Sequence, residues 1–277
     1  LAQIQQASNA LEAMFARGVT DPAELRDHLQ SLLTGGAARN AVDCALWDLK
    51  AKTESRPVWE MLGLRKPKPR VTAYTLSLDT PAKMAAAAAN AAQYPVLKIK
   101  IAGIETLDCV TAILDARPDA KLIIDANEAL DLNSLGTLQS QIPDGSTLLI
   151  EQPLPASEKR PFAPALSPPI CADEALHTRQ DLDALWAQGY RAVNIKLDKC
   201  GGLTEGLLLA QQAKTMGFTI MAGCMVGSSL AMAPMVMLES FAEVIDLDGP
   251  LLLSEDIENG LIYDGPTVYP PTAEVWG

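Results

Sequence analysis

Several charged side chains stand at the ends of short β-rich runs, where they could do chemistry together. They are Lys98 and Lys100 in VLKIKI, Asp125 in KLIIDAN, Glu151 in TLLIEQ, Asp173 and Glu174 in PICADE, Lys196 in RAVNIKL, and Asp246 and Asp248 in EVIDLD. In RAVNIKLDKCGG, Val193, Ile195 and Leu197 alternate with Asn194, Lys196 and Asp198, giving one apolar and one polar face. A buried ammonium is costly unless it is paired or has work to do. Singly, each residue has an ordinary explanation: an Asp after a strand caps a helix, and a strand-edge Lys reaches for solvent. Acids on three consecutive runs with lysines on both sides are harder to ascribe to capping. Asp125, Glu151 and one of Asp173 and Glu174 (neighbours of opposite parity) supply hard oxygen donors with no His or Cys. That donor set suits Mg2+, with positions left for substrate oxygens.

The elements that would position these groups follow from periodicity. Residues 1–52 read as helical. TDPAELRDHLQSLL offers a cap-like Thr20 and Pro22 near the first turn, and GGAARNAVDCALWDLKAK repeats the pattern. RKPKPR at 65–70 breaks any helix and marks a boundary, so 1–70 is expected to be a separate helical part. Eight β-rich runs follow, at 71–78, 96–101, 121–127, 147–152, 169–174, 191–197, 218–223 and 243–248, with seven helices expected between them. Near-equal βα units without a GxGxxG turn favour a closed (β/α)7β TIM-like barrel over 71–248 rather than an open doubly wound sheet. The turn-rich 249–277 is expected to return to the N-terminal part.

Active sites of such barrels lie at the C-terminal ends of the strands. Side chains two apart share a face, so Ile99, Ala126 and Leu247 face the helices while their charged neighbours face the mouth. The second and sixth strands lie opposite each other, which sets Lys100 and Lys196 on two sides of a central substrate. A divalent cation gripping a carboxylate, with a base on each side of its α-carbon, can remove a proton and return it either way. The cation would stabilise the enediolate, and the lysines would act as acid and base. Burial near Mg2+ and a second ammonium is expected to lower the Lys196 pKa.

The chain has 277 residues, 48 % hydrophobic, with 22 Lys+Arg against 34 Asp+Glu and a formal charge of −12. No Lys/Arg-rich run is present, which argues against nucleic acid and anionic membranes as partners. The five cysteines form no CxxC pair, so free thiols and a reducing, cytoplasmic setting are expected. No apolar run reaches the roughly 18 residues needed to span a bilayer. The N-terminus has no basic start followed by an apolar block, so no signal peptide is expected, and because Leu1 is not an initiator Met, a preceding stretch is expected. Homo-oligomerisation through the barrel helices is compatible with the fold, with no symmetry fixed.

Together, GAARNAVDCALWDLKAK, LKIK, IIDANE, LIEQPLP, ICADE, VNIKLDKCGGLTE and DLDGP resemble the muconate-lactonizing subgroup of the enolase superfamily across essentially the whole chain. Lys or His bases working with Mg2+ are the established pattern of that superfamily. The resemblance implies an α+β capping domain, whose N-terminal β-rich part has no counterpart before Leu1. It also implies Asp125, Glu151 and Asp173 as metal ligands, Lys100 and Lys196 as acid/base residues, and Lys98 as a partner of the substrate carboxylate. The D-x-D of Asp246 and Asp248 is similar to that of dipeptide epimerases, where these acids receive the substrate's ammonium. NIKLDK.GGLTE and GCM look most like enzymes acting on L-Ala-D/L-Glu. Asn127 and Cys224 would line the site. The rival reactions on such a site are N-acylamino acid racemisation, o-succinylbenzoate formation and muconate cycloisomerisation. A Schiff-base aldolase would leave three acids unexplained, and a purely structural barrel would not need the charges.

Overall fold

The structure is a computed structural model that describes residues 2–163 and 167–277. Its strands are β1 (Arg70–Val71), β2 (Tyr74–Leu76), β3 (Val96–Lys100), β4 (Lys121–Asp125), β5 (Thr147–Glu151), β6 (Ile170–Ala172), β7 (Ala192–Ile195), β8 (Thr219–Gly223), β9 (Val244–Asp246), β10 (Tyr263–Asp264) and β11 (Thr267–Val268). Strands β2 to β9 run in chain order as one eight-stranded parallel sheet. Its first and last strands approach where Ala73 N–H donates to Ile245 O at 2.8 Å and Leu247 N–H to Thr72 Oγ1 at 2.9 Å. The result is a nearly closed α/β barrel.

Two layers of side chains fill its interior. Ala73, Ile123, Leu149, Cys171, Ala192, Met221 and Val244 form an apolar floor, all buried. One pleat higher, two residues further along each strand, stand Lys98, Asp125, Glu151, Asp173, Asn194 and Asp246, as the strand period requires. The intervening Ile99, Ala126 and Leu247 point outward into the core shared with the helices.

Three local readings are corrected. The run 71–78 is two strands. Val71 belongs to β1, which pairs with β11 in a small antiparallel sheet with β10, and only Tyr74–Leu76 enters the barrel. The cap of the helix Pro22–Leu32 is Asp21 rather than Thr20, its Oδ1 accepting from Ala23 N–H and Glu24 N–H. Between β5 and β6 no helix occurs among the described residues. The prolines of QPLPASEKRPFAP remove the donors a helix would need.

The helix Ala37–Glu54 positions the far side of the site. Its buried Arg39 donates to the carbonyls of Gly201 and Cys200. Its buried Asp43 accepts from Thr204 N–H at 3.0 Å and Thr204 Oγ1 at 2.6 Å, while Trp47 Nε1 donates to Thr204 Oγ1 at 3.1 Å. Gly202, at φ +118°, brings its backbone against Asp43 where any Cβ would collide. The turn that follows Lys196 is thus clamped to the N-terminal helices. The C-terminal end joins the same assembly, Trp276 Nε1 donating to Cys44 O at 2.8 Å.

Candidate active site

The ends of the parallel strands open into a cleft of about 330 Å³. Lys98, Lys100, Asp125, Asn127, Asp173, Lys196, Cys224, Asp246 and Asp248 all line it, and Glu151 lies beneath, fully buried. Every site residue picked out in the sequence therefore belongs to one place. Lys100 and Lys196 come from strands four apart in the eight-strand order, and so from opposite sides of the barrel.

Lys98 is at the centre. Its buried ammonium lies 2.9 Å from Asp246 Oδ2, 2.8 Å from Glu151 Oε2 and 3.5 Å from Asp125 Oδ2. The contact with Glu151 is out of line for a hydrogen bond, so this oxygen, like the buried Asp246 Oδ1, has no hydrogen-bond partner. Burial works to lower the Lys98 pKa, but Asp246, Glu151 and Asp125 outweigh it and hold the group well above its ordinary value.

The same balance holds for Lys196 without a metal ion. Its Nζ donates to Asp173 Oδ2 at 2.6 Å and lies 3.9 Å from Glu151 Oε1. Burial lowers its pKa, yet Asp173 and Glu151 more than offset that, and the net direction is upward. Lys199, unnoticed in the sequence, also donates to the Asp173 carboxylate and carbonyl. Burial would raise the Asp173 carboxyl, but Lys199 and Lys196 hold it well below the usual range.

Lys100 is the most open of these lysines, its side chain 42 % exposed. Its Nζ donates to Asp125 Oδ2 at 3.0 Å and Asn127 Oδ1 at 2.6 Å. At the end of β9, Asp248 Oδ2 accepts from Thr75 N–H at 2.6 Å. Burial and the neighbouring Asp246 push the Asp248 carboxyl up to about 6.

Two further residues escaped the sequence reading. Asn194, on the inward face of β7, donates from Nδ2 to Glu151 Oε1 at 2.5 Å. It fits because position 223 of the adjacent β8 is glycine, where a Cβ would strike the Asn194 amide. Gln152, at φ +33°, accepts on Oε1 from Asp173 N–H at 2.9 Å and Ala175 N–H at 3.1 Å, fixing the turn that carries Asp173.

Among the described residues, no three Asp, Glu, His or Cys side chains are gathered tightly enough to grip an ion as they stand, because ammonium groups take up the carboxylates. The donor chemistry nonetheless fits a hard cation. Asp125 and Glu151 end adjacent strands in register, and Asp173 follows the next. Burial pushes the Glu151 carboxyl up to about 8, Asp125 and Asp173 adding to this against the pull of Lys98. A fully buried carboxyl beside two further acids, raised by burial despite the neighbouring Lys98, is the condition a divalent ion relieves.

A parallel barrel with acids on consecutive strand ends and lysines on facing walls has the make-up of a barrel enzyme that works through acid/base groups and a hard cation. Residues 82–273 match the "Enolase C-terminal domain-like" family and residues 6–63 the "Mandelate racemase / muconate lactonizing enzyme, N-terminal domain". The chain belongs to the enolase superfamily and is a racemase or epimerase of the isomerase class. It is 43 % identical over 276 residues, 99 % of this chain and 87 % of the relative, to an N-acetyl-D-glutamate racemase from Pseudoalteromonas sp.. It is 43 % identical over 242 residues, 85 % of this chain and 74 % of the relative, to L-Ala-D/L-Glu epimerase from Escherichia coli. Among solved structures, an Agrobacterium tumefaciens enolase family member with homology to dipeptide epimerases, holding sodium and L-Ala-L-Glu, superposes at a TM-score of 0.89. That match has 45 % identity and covers 98 % of this chain and 82 % of the other. A dipeptide epimerase from Methylococcus capsulatus complexed with Mg superposes at 0.79 with 30 % identity, covering 90 % and 76 %.

Proposed function

We propose that the protein is a Mg2+-dependent dipeptide epimerase acting on the C-terminal residue of L-Ala-D/L-Glu. The observation that carries this reading is the paired acid at the end of β9. Asp246 keeps one buried carboxylate oxygen without a hydrogen-bond partner beside a cleft that Lys98, Lys100, Lys196 and Lys199 also line. Asp246 and Asp248 are the anions there for a substrate ammonium, at the side of the cleft away from Asp173 and Lys199.

Asp125, Glu151 and Asp173 would hold the ion. When bound, Mg2+ supplies the positive charge that lets a carboxylate α-proton leave, and takes up acids that otherwise keep Lys196 protonated. One lysine amine removes the α-proton from its face of the substrate, leaving the enediolate. The ammonium of the other lysine delivers a proton to the opposite face and the configuration inverts. Two such groups, each worth roughly 10²–10⁴-fold, fit a 1,1-proton transfer with no other reactant. Lys98 neutralises the substrate carboxylate on the floor of the cleft. The small polar substrate, the five free thiols and the absence, among the described residues, of any helix long and apolar enough to cross a membrane fit cytoplasmic recycling of cell-wall peptide.

The second reading is N-acylamino acid racemisation, favoured by the N-acetyl-D-glutamate racemase relative that spans 99 % of the chain. N-acetylglutamate presents the same C-terminal glutamate on a shorter acyl group with no ammonium, and Asp248 is already engaged by Thr75. A panel of dipeptides and N-acyl amino acids incubated in D2O and read by mass spectrometry separates the two. Labelling of L-Ala-L-Glu and L-Ala-D-Glu is the expected result. Labelling confined to N-acyl amino acids would overturn the dipeptide assignment.

A further inference from the structure

Asn127 and Glu174 have no part in the chemistry above, yet they are tied to it. Asn127 lies just past β4 at φ +39°, followed by Glu128 at φ +68°. Left-handed backbone is tolerated by Asn but is unfavourable for Glu, so the bend is held by its surroundings. Glu128 N–H donates to Gln152 O at 2.8 Å and Glu128 Oε1 accepts from Ala156 N–H at 2.6 Å.

The bend sets the Asn127 amide between two groups of opposite kind. Oδ1 accepts from Lys100 Nζ at 2.6 Å, and Nδ2 donates to Glu174 Oε1 at 3.1 Å. A lysine only donates and a carboxylate only accepts, so the amide has a single workable orientation and Glu174 sets it. Lys100 also donates to Asp125 Oδ2. A nitrogen bonded to Cε and giving two hydrogen bonds has one tetrahedral direction left, whether that holds a lone pair or a proton. The opposed lysine needs no such device. The Lys196 side chain is 10 % exposed and packed against Asp173, whereas that of Lys100 is 42 % exposed and has more rotamer freedom to lose.

We propose that Asn127, oriented by Glu174, is a positioning residue for Lys100 alone, aiming its nitrogen at one face of the substrate α-carbon. This rests on the reading of Lys100 and Lys196 as opposed acid/base groups. Loosening Asn127 then cripples one face and spares the other. An epimer deprotonated by Lys196 still exchanges its α-proton for solvent deuterium, since Lys196 can return a deuteron to the face it attacked. Inversion of that epimer needs Lys100 and fails.

The test follows L-Ala-L-Glu and L-Ala-D-Glu separately in D2O by NMR, measuring α-proton exchange and inversion for the Mg2+-loaded wild type, Asn127→Ala, Glu174→Ala and Glu174→Gln. In Asn127→Ala, inversion falls about 10–10²-fold, the cost of a misplaced catalytic group. Exchange from one epimer stays close to wild type, and exchange from the other falls with inversion. Glu174→Ala shifts the exchange-to-inversion ratio the same way. Glu174→Gln, whose amide oxygen still accepts from Asn127, keeps the wild-type ratio. Equal slowing of exchange from both epimers in Asn127→Ala, or a Glu174→Gln ratio matching Glu174→Ala, overturns the assignment. A wild type that exchanges neither epimer overturns the epimerase reading, and this assignment with it.

Discussion

The two layers inside the barrel are one pleat apart and obey opposite rules. The floor of Ile123, Leu149, Met221 and their neighbours is apolar, closed and self-sufficient. The layer above holds Lys98, Asp125, Glu151, Asp173 and Asp246, equally buried but incompletely satisfied, with orphan oxygens on Glu151 and Asp246. Charges at the opposite end of the barrel behave differently again. Arg70 donates to the carbonyls of Glu239 at 2.7 Å, Ala242 at 3.1 Å and Glu243 at 3.2 Å, serving only to tie the chain together. A charge whose partners are complete supports the fold. A buried charge left short of partners is a place where a ligand completes the set.

The contrast can be broken in several ways, the largest effect first. Chelation with EDTA is expected to lower epimerisation by about 10³-fold or more, since the Lewis-acid contribution is several kcal/mol. Added Mg2+ should restore it, and activity that survives exhaustive chelation would remove the cation from the account. Asp246→Asn should reduce kcat/KM for L-Ala-D-Glu by about 30-fold or more, the cost of removing one member of a desolvated charge pair. The same variant should cost N-acetylglutamate, if it is turned over, much less, through Lys98 alone, and equal losses would show that Asp246 does not read the amine. On the floor, Leu149→Ala should destabilise the fold by about 2–5 kcal/mol in denaturant titration while kcat per folded molecule is unchanged. A loss of kcat without a loss of stability would mean the layers are not separable.

The smallest effect is in pH. Asp248 is raised to about 6 by burial and by Asp246. It is therefore anionic and able to receive an ammonium above that pH, and neutral below it. The kcat/KM for a free dipeptide should fall as pH drops through about 6. In Asp246→Asn the inflection should move lower, because one of the two causes of the upward shift is gone.

Much of this layering was legible in the sequence because strand parity is rigid. Asp125 and Glu151 had to share the inward face once the strands were placed, and Ile99, Ala126 and Leu247 had to leave it. The reading failed where the strand ended or where a neighbour decided the outcome. Lys199 lies beyond β7 in a short helical turn, Leu197–Cys200, which swings it back beside Lys196 onto Asp173. Period-two counting cannot follow that turn. Asn194 had the right parity, but its role depends on the glycine at position 223 of the next strand. The split at Thr72 escaped notice although the alternation of VTAYTLSL changes phase there, from apolar Val71 and Ala73 to apolar Leu76 and Leu78, and the pairing of Val71 with Thr267 shows the change of sheet. The downward shift expected for Lys196 belongs to the Mg2+-loaded site, and without the ion Asp173 and Glu151 outweigh burial and raise it.

The central claim is that two amines on facing walls serve opposite faces of one carbon. The most direct measurement is α-proton exchange in D2O from each epimer of L-Ala-Glu by Lys100→Ala and Lys196→Ala. Each variant should lose inversion by about 10²–10⁴-fold yet retain exchange with a single epimer, a different one in each case. Retention of the same epimer by both variants, or undiminished inversion in either, would contradict the account.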